Sequence, residues 1–183
     1  MQKNTFNVAL CGIISALGVV IMMITAIVPI ATYATPALAG IITAVIVIEV
    51  NKKWALASYF VVSVLSVLIV PDKEAVAFYI LFFGYYPVLK QIIESKIKPV
   101  LLQWLLKILA FSIAAVLVYY IAIYFLGVPA DEFVLFGVNL PVIFLIAGIV
   151  VFVMFDYSMS GVIVTYVNKY REKLFGKWLS DKL

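Results

Sequence analysis

Residues Leu140–Thr165 read LPVIFLIAGIVVFVMFDYSMSGVIVT, an apolar run that carries one carboxylate, Asp156. A hydrocarbon core of about 30 Å needs about 20 apolar residues as a helix, and this stretch supplies them. An ionised side chain inside such a helix costs several kcal/mol unless it meets a partner or water, so the rest of the chain has to accommodate Asp156. One other run has a comparable feature, Lys107 within residues 100–126.

The composition agrees with this reading. Hydrophobic residues make up 67% of the 183 and charged residues 12%, against about half and about a quarter in a soluble domain, which places the chain among polytopic membrane proteins. No polar stretch exceeds a short loop, so no soluble domain is expected. The first apolar run, residues 6–30, is too long for a signal-peptide core and lacks a small-residue cleavage site, so it reads as a retained helix. Cys11 lies in that run as an inert buried thiol. With one cysteine and no histidine, a zinc, haem or iron–sulfur site built by this chain is not expected, and neither a cofactor nor a metal is anticipated.

Six apolar runs are drawn, at residues 6–30, 36–50, 54–70, 75–92, 100–126 and 140–167, forming one transmembrane domain. They lack the alternation of barrel strands, so an all-α protein is expected. Thr35-Pro36 reads as an N-cap and first helical position. Lys98-Pro99 precedes the fifth run, Pro71 ends the third, Asp72 can cap the fourth and Asn139 the sixth. Gly84 and Pro87 interrupt the fourth run, and Pro87 should kink it and free a carbonyl. With six spans the termini share a side. That side collects Lys3, Lys52, Lys53, Lys90, Lys96, Lys98, Lys169, Arg171, Lys173, Lys177 and Lys182, whereas the opposite loops hold Lys73 beside Asp72, Glu74, Asp131 and Glu132. The positive-inside rule then puts both termini in the cytoplasm. This asymmetry also accounts for the net charge of +4 without nucleic acid as a partner. Residues 168–183 read as an amphipathic cytoplasmic tail at the inner headgroups, either an anchor or a docking site.

Three groups of residues are candidates for function. At 1.5 Å per residue, Lys107 lies about 10 Å from the inner start of its helix and Asp156 about 24 Å from the outer start of its own, so the two should share a depth and pair. Glu49 is the alternative partner for Lys107. This pair reads either as a proton or substrate relay or as a structural ion pair fixing two helices. In the outer half, Tyr120 and Tyr124 share a helix face and, with Tyr33, Tyr79 and Asn139, are candidates to line a pocket for a flat small organic ligand; an interfacial aromatic belt is the competing reading. On the first helix, Ala9, Gly12 and Ala16 form a small-residue face suited to close helix approach, either within the chain or against a separate subunit. No nucleophile–base constellation, phosphate-cradling glycine loop or nucleotide-binding motif is found, so an enzyme is not expected and ATP-driven work needs another protein.

The whole pattern resembles the substrate-binding S components of energy-coupling factor (ECF) vitamin importers. The resemblance is architectural and spans the chain: about 180 residues, six helices, cytoplasmic ends, a basic inner face, and a first helix that begins Lys3-Asn4-Thr5 and carries Ala9, Gly12 and Ala16. In that family an Ala-x-x-x-Ala-like face on the first helix docks a membrane-embedded coupling subunit, and two ATPases supply energy. The resemblance therefore implies docking through Ala9, Gly12 and Ala16. It also implies capture of a vitamin-like ligand near the outer side by Tyr33, Tyr79, Tyr120, Tyr124 and Asn139. No substrate-specific motif is recognisable, so the ligand stays open. A non-catalytic membrane scaffold or assembly protein is the alternative. A proton-coupled carrier using Asp156 ranks third, because the matched interrupted helices of inverted repeats are not evident.

Overall fold

In the computed structural model the described residues are 2–124, 134–135 and 138–173. Their order is α1 (Gln2–Met23), two short 3-10 turns, α2 (Ala34–Glu49), α3 (Lys52–Ile69), α4 (Lys73–Phe78), a π-helical turn (Tyr79–Phe83), α5 (Tyr86–Lys96), α6 (Val100–Tyr124) and α7 (Leu140–Thr165). A π-helical turn at Tyr166–Tyr170 follows α7. A two-residue antiparallel ladder, Val134–Leu135 with Val138–Asn139, precedes α7. Among the described residues, five helical stretches are long and apolar enough to cross a membrane: Thr5–Ala26, Lys52–Ile69, Lys73–Lys96, Val100–Tyr124 and Ile143–Lys173. Ala34–Glu49 is apolar but shorter, at 16 residues.

The helix boundaries follow local chemistry. Asn51 caps α3, its Oδ1 accepting from the Trp54 N–H at 3.1 Å, and Asp72 caps α4 through the Ala75 N–H at 3.0 Å. Lys73 closes the other end of α3 by donating to the carbonyls of Val67 and Val70, both at 2.8 Å, groups that a helix end leaves without partners. Thr35 is not an N-cap. The helix begins at Ala34, and the Thr35 hydroxyl donates to the Ala31 carbonyl at 3.1 Å, with Pro36 accommodated in the first turn, where no intrahelical N–H is needed. The last helical stretch also departs from the sequence reading. It runs on from α7 through the π turn to Lys173, with no break at 168; the tail beyond Lys173 lies outside the described residues.

Packing divides into two zones. Near the N-terminus, α1 turns Cys11, Ile14, Ser15, Val19 and Met22 toward α2 and α3. The Ser15 and Ser58 hydroxyls are hydrogen-bonded at 2.6 Å, and a Cβ on Gly18 would touch Val62 at 3.4 Å, so small residues do set the approach of α1 and α3. The second zone joins α5, α6 and α7. Among the described side chains, α7 buries a single stripe, Phe152, Asp156 and Met159, and α6 the matching stripe Lys107, Phe111, Ala114, Val118 and Ala122. The opposite faces of both helices are apolar and exposed, as a lipid-facing surface requires.

The irregular fourth stretch is the seam between the zones. A π turn has one extra residue per hydrogen-bonded loop, here closed by Gly84 N–H to Tyr79 O at 2.8 Å. Tyrosines take up carbonyls along it: Tyr59 donates to Ile80 O at 2.8 Å and Tyr85 to Leu81 O at 2.7 Å. A Cβ on Gly40 would collide with the Phe83 carbonyl, and one on Gly84 would lie 2.5 Å from Tyr59 and 2.8 Å from Tyr79. Both glycines are there to let backbone and rings come close.

Candidate functional site: a buried charge network under an aromatic layer

Asp156 is the centre of the site. Its Oδ1 accepts from the Tyr86 hydroxyl at 2.5 Å and from Lys90 Nζ at 2.6 Å, and its Oδ2 from Lys107 Nζ at 3.1 Å. Both lysines also reach Glu94 Oε1, Lys90 at 2.8 Å and Lys107 at 2.6 Å. The Lys107 ammonium further sits 5.1 Å from the centroid of the Trp104 ring. Two carboxylates and two ammonium groups balance, and each buried charge has an oppositely charged partner in hydrogen-bond contact. That is the condition under which charges survive in a low-dielectric interior.

Tyr86, Lys90 and Glu94 are spaced at four residues, so α5 presents them as one stripe toward α6 and α7. Pro87 sits at the start of α5, where its missing N–H costs nothing. Four residues along the chain from three members of the network, on the side away from Lys96, lie three phenylalanines: Phe82 from Tyr86, Phe111 from Lys107, and Phe152 from Asp156. Their rings pack together, Phe111 stacked on Phe152 at 4.9 Å and Phe82 edge-on to both at 5.2 and 5.3 Å. Thus an aromatic layer lies directly on an ionic one.

Of the residues singled out in the sequence, Lys107 and Asp156 are brought together. Glu49 is not their partner. It stands apart at the end of α2, its Oε1 accepting from Arg171 Nε at 2.9 Å and from the Tyr166 hydroxyl at 3.2 Å. Among the described residues, its Oε2 is buried without a hydrogen-bond partner. The outer tyrosines are not gathered into one pocket. Tyr79 is fully buried against Val19, Met22, Ala39 and Val62, leaving no room for a ligand at its ring. Tyr120 and Tyr124 are exposed on α6 and stack on each other at 6.2 Å. Tyr33 packs edge-on to Phe78 at 5.1 Å and donates to Glu74 at 3.0 Å; burial first, then the Glu74 carboxylate, pushes its phenol up to about 12. The Asn139 side chain lies outside the described residues. Ala9, Gly12 and Ala16 are exposed on the outward face of α1, and a Cβ on Gly12 would meet nothing within 4 Å.

From sequence alone, Tyr86 figures only as part of the interruption at residues 84–87, Lys90 counts among the basic residues of the inner side, and Glu94 has no role. Their four-residue spacing was the available signal. The fold defines an all-α membrane protein with an intramembrane ionic network. No protein-family model, no curated protein and no solved structure matches the chain.

Proposed function

We propose that this chain is the ligand-capturing membrane subunit of a small-molecule importer that is energised by separate coupling and ATPase subunits. In this reading Ala34–Glu49 is a sixth, short span, both termini are cytoplasmic and the membrane is the cell membrane. The observation that carries the proposal is the outward face of α1. Ala9, Gly12 and Ala16 lie exposed there while other small residues, Ser15 and Gly18, serve the internal contact with α3. A strip of small side chains directed into lipid gains little from acyl chains and much from another helix. The test is affinity purification from the native host with gentle detergent, comparing the natural chain with Gly12→Leu and Ala16→Leu. Co-purification of a membrane subunit with ATPases, abolished by either substitution at unchanged melting temperature, supports the proposal. A chain that purifies alone in both forms sinks it.

A second reading, a non-catalytic scaffold, is favoured by a specific observation. Tyr33, Tyr79, Tyr120 and Tyr124 are dispersed, and the charge network is saturated by its own members. Mass spectrometry of small molecules released from the purified protein separates the two: a stoichiometric organic ligand supports capture, and its absence alongside envelope-assembly proteins supports the scaffold. A proton-coupled carrier is the weakest of the three, because a proton on Asp156 would leave the buried Lys90 and Lys107 ammonium groups with Glu94 as their one carboxylate partner among the described residues.

A further inference from the structure

The charge network is balanced from its edge. Asp156, Lys90 and Lys107 have side chains 4%, 5% and 3% exposed and sum, as one carboxylate and two ammonium groups, to a single positive charge. The group that cancels it, Glu94, is 41% exposed and two residues from the end of α5 at Lys96. One oxygen of Glu94 bridges both ammonium groups, an arrangement that any singly charged oxyanion can reproduce. Beside this seat, an apolar groove of about 300 Å3 runs between α6 and α7, lined by Trp104, Val153, Met154, Tyr157 and Ser158. Trp104 belongs to both, since its ring is the one beneath the Lys107 ammonium.

A molecule that carries one negative phosphodiester and a hydrocarbon chain matches both halves of this surface. We propose that Lys90 and Lys107 form a seat for the headgroup of an anionic phospholipid, whose acyl chain lies in the Trp104 groove. Glu94 is the exchangeable counter-ion that fills the seat when the lipid is absent. Basic positions between membrane helices near the lysine-rich leaflet are where such headgroups bind. The seat is at the same end as Lys96 and Lys98, which add to the local positive potential. This inference depends on the network and groove alone, so it stands or falls separately from the importer reading.

The test uses the full chain in nanodiscs of phosphatidylcholine doped with phosphatidylglycerol, with native mass spectrometry counting retained phosphatidylglycerol. Glu94→Gln removes the competing carboxylate and should retain one phosphatidylglycerol at an about tenfold lower doping level than the natural chain. Glu94→Gln with Lys107→Gln makes the buried set neutral again and should lose that lipid. Lys90→Gln with Glu94→Gln gives the same count through the other lysine, should one double variant fail to fold. Equal retention by Glu94→Gln and the natural chain overturns the proposal, as does undiminished retention by a folded neutral double variant. Soluble glycerophosphoglycerol, the same headgroup without acyl chains, should leave Glu94→Gln unchanged in pure phosphatidylcholine discs. If it binds there as well as the lipid does, the seat belongs to a soluble anion and the lipid assignment is wrong.

Discussion

Asp156 holds three helices through one carboxylate, because its hydrogen-bond partners come from α5 and α6 while it belongs to α7. Replacing it with Asn leaves two buried ammonium groups with Glu94 as their sole anion among the described residues. Breaking a buried pair in this way costs about 3–5 kcal/mol, so Asp156→Asn should lower the unfolding midpoint sharply in detergent. Adding Lys107→Met to that variant restores neutrality and should recover most of the loss; a double variant no better than the single one would mean that packing, and not charge, holds the helices. Helical rise alone puts Lys107 and Asp156 level. It does not supply Lys90 and Glu94, because a lysine near the end of a span is equally at home in headgroups and in a protein interior. The choice between those depends on how α5 is rotated, which a neighbouring irregularity sets.

That irregularity belongs to the scale of the element. The π turn at Tyr79–Phe83 followed by Pro87 resets the rotation of the fourth stretch, so that Tyr86, Lys90 and Glu94 face α7. Gly84 and Pro87 mark the interruption in the sequence, but Pro87 starts α5 and frees no carbonyl; the carbonyls that hydroxyls meet are those of Ile80 and Leu81 in the π turn. The sequence does not show which hydroxyls meet them, because Tyr59 comes from α3. Tyr59→Phe leaves Ile80 O without that donor and should cost about 1–3 kcal/mol, read by thermal unfolding. Gly84→Ala places a methyl group within 2.5 Å of the Tyr59 ring and should be worse than Tyr59→Phe. Gly12→Ala is the contrasting case. With open space at its Cβ it should raise the midpoint or leave it unchanged, since Ala is the better helix former by about 1 kcal/mol. A destabilised Gly12→Ala would show that α1 is packed on that face even in the isolated chain.

At the scale of the molecule, helical class and membrane character were legible because apolar content and run length are properties of the chain itself. The gathering of aromatic residues was not, because it depends on which face each helix turns inward. The sequence groups the tyrosines Tyr33, Tyr79, Tyr120 and Tyr124, whereas the structure assembles Phe82, Phe111 and Phe152, the last two midway along α6 and α7. Arg171, beyond α7, reaches back to Glu49 at the end of α2 and ties the last helix to the first zone. Arg171→Ala strands a buried carboxylate and should make the residues after α7 markedly more open to proteolysis, while leaving the Asp156 network intact. The balance of the charge network has an electrical consequence. Phe82, Phe111 and Phe152 pack on one side of the network, and Glu94 is its part-exposed member. The two carboxylates and two ammonium groups of the network cancel, so as a unit it gains almost no energy from a voltage applied across the membrane. A unit charge crossing the full field would exchange about 2.3 kcal/mol per 100 mV. These charges should exchange almost none, so voltage steps on a bilayer containing the protein should evoke no gating current.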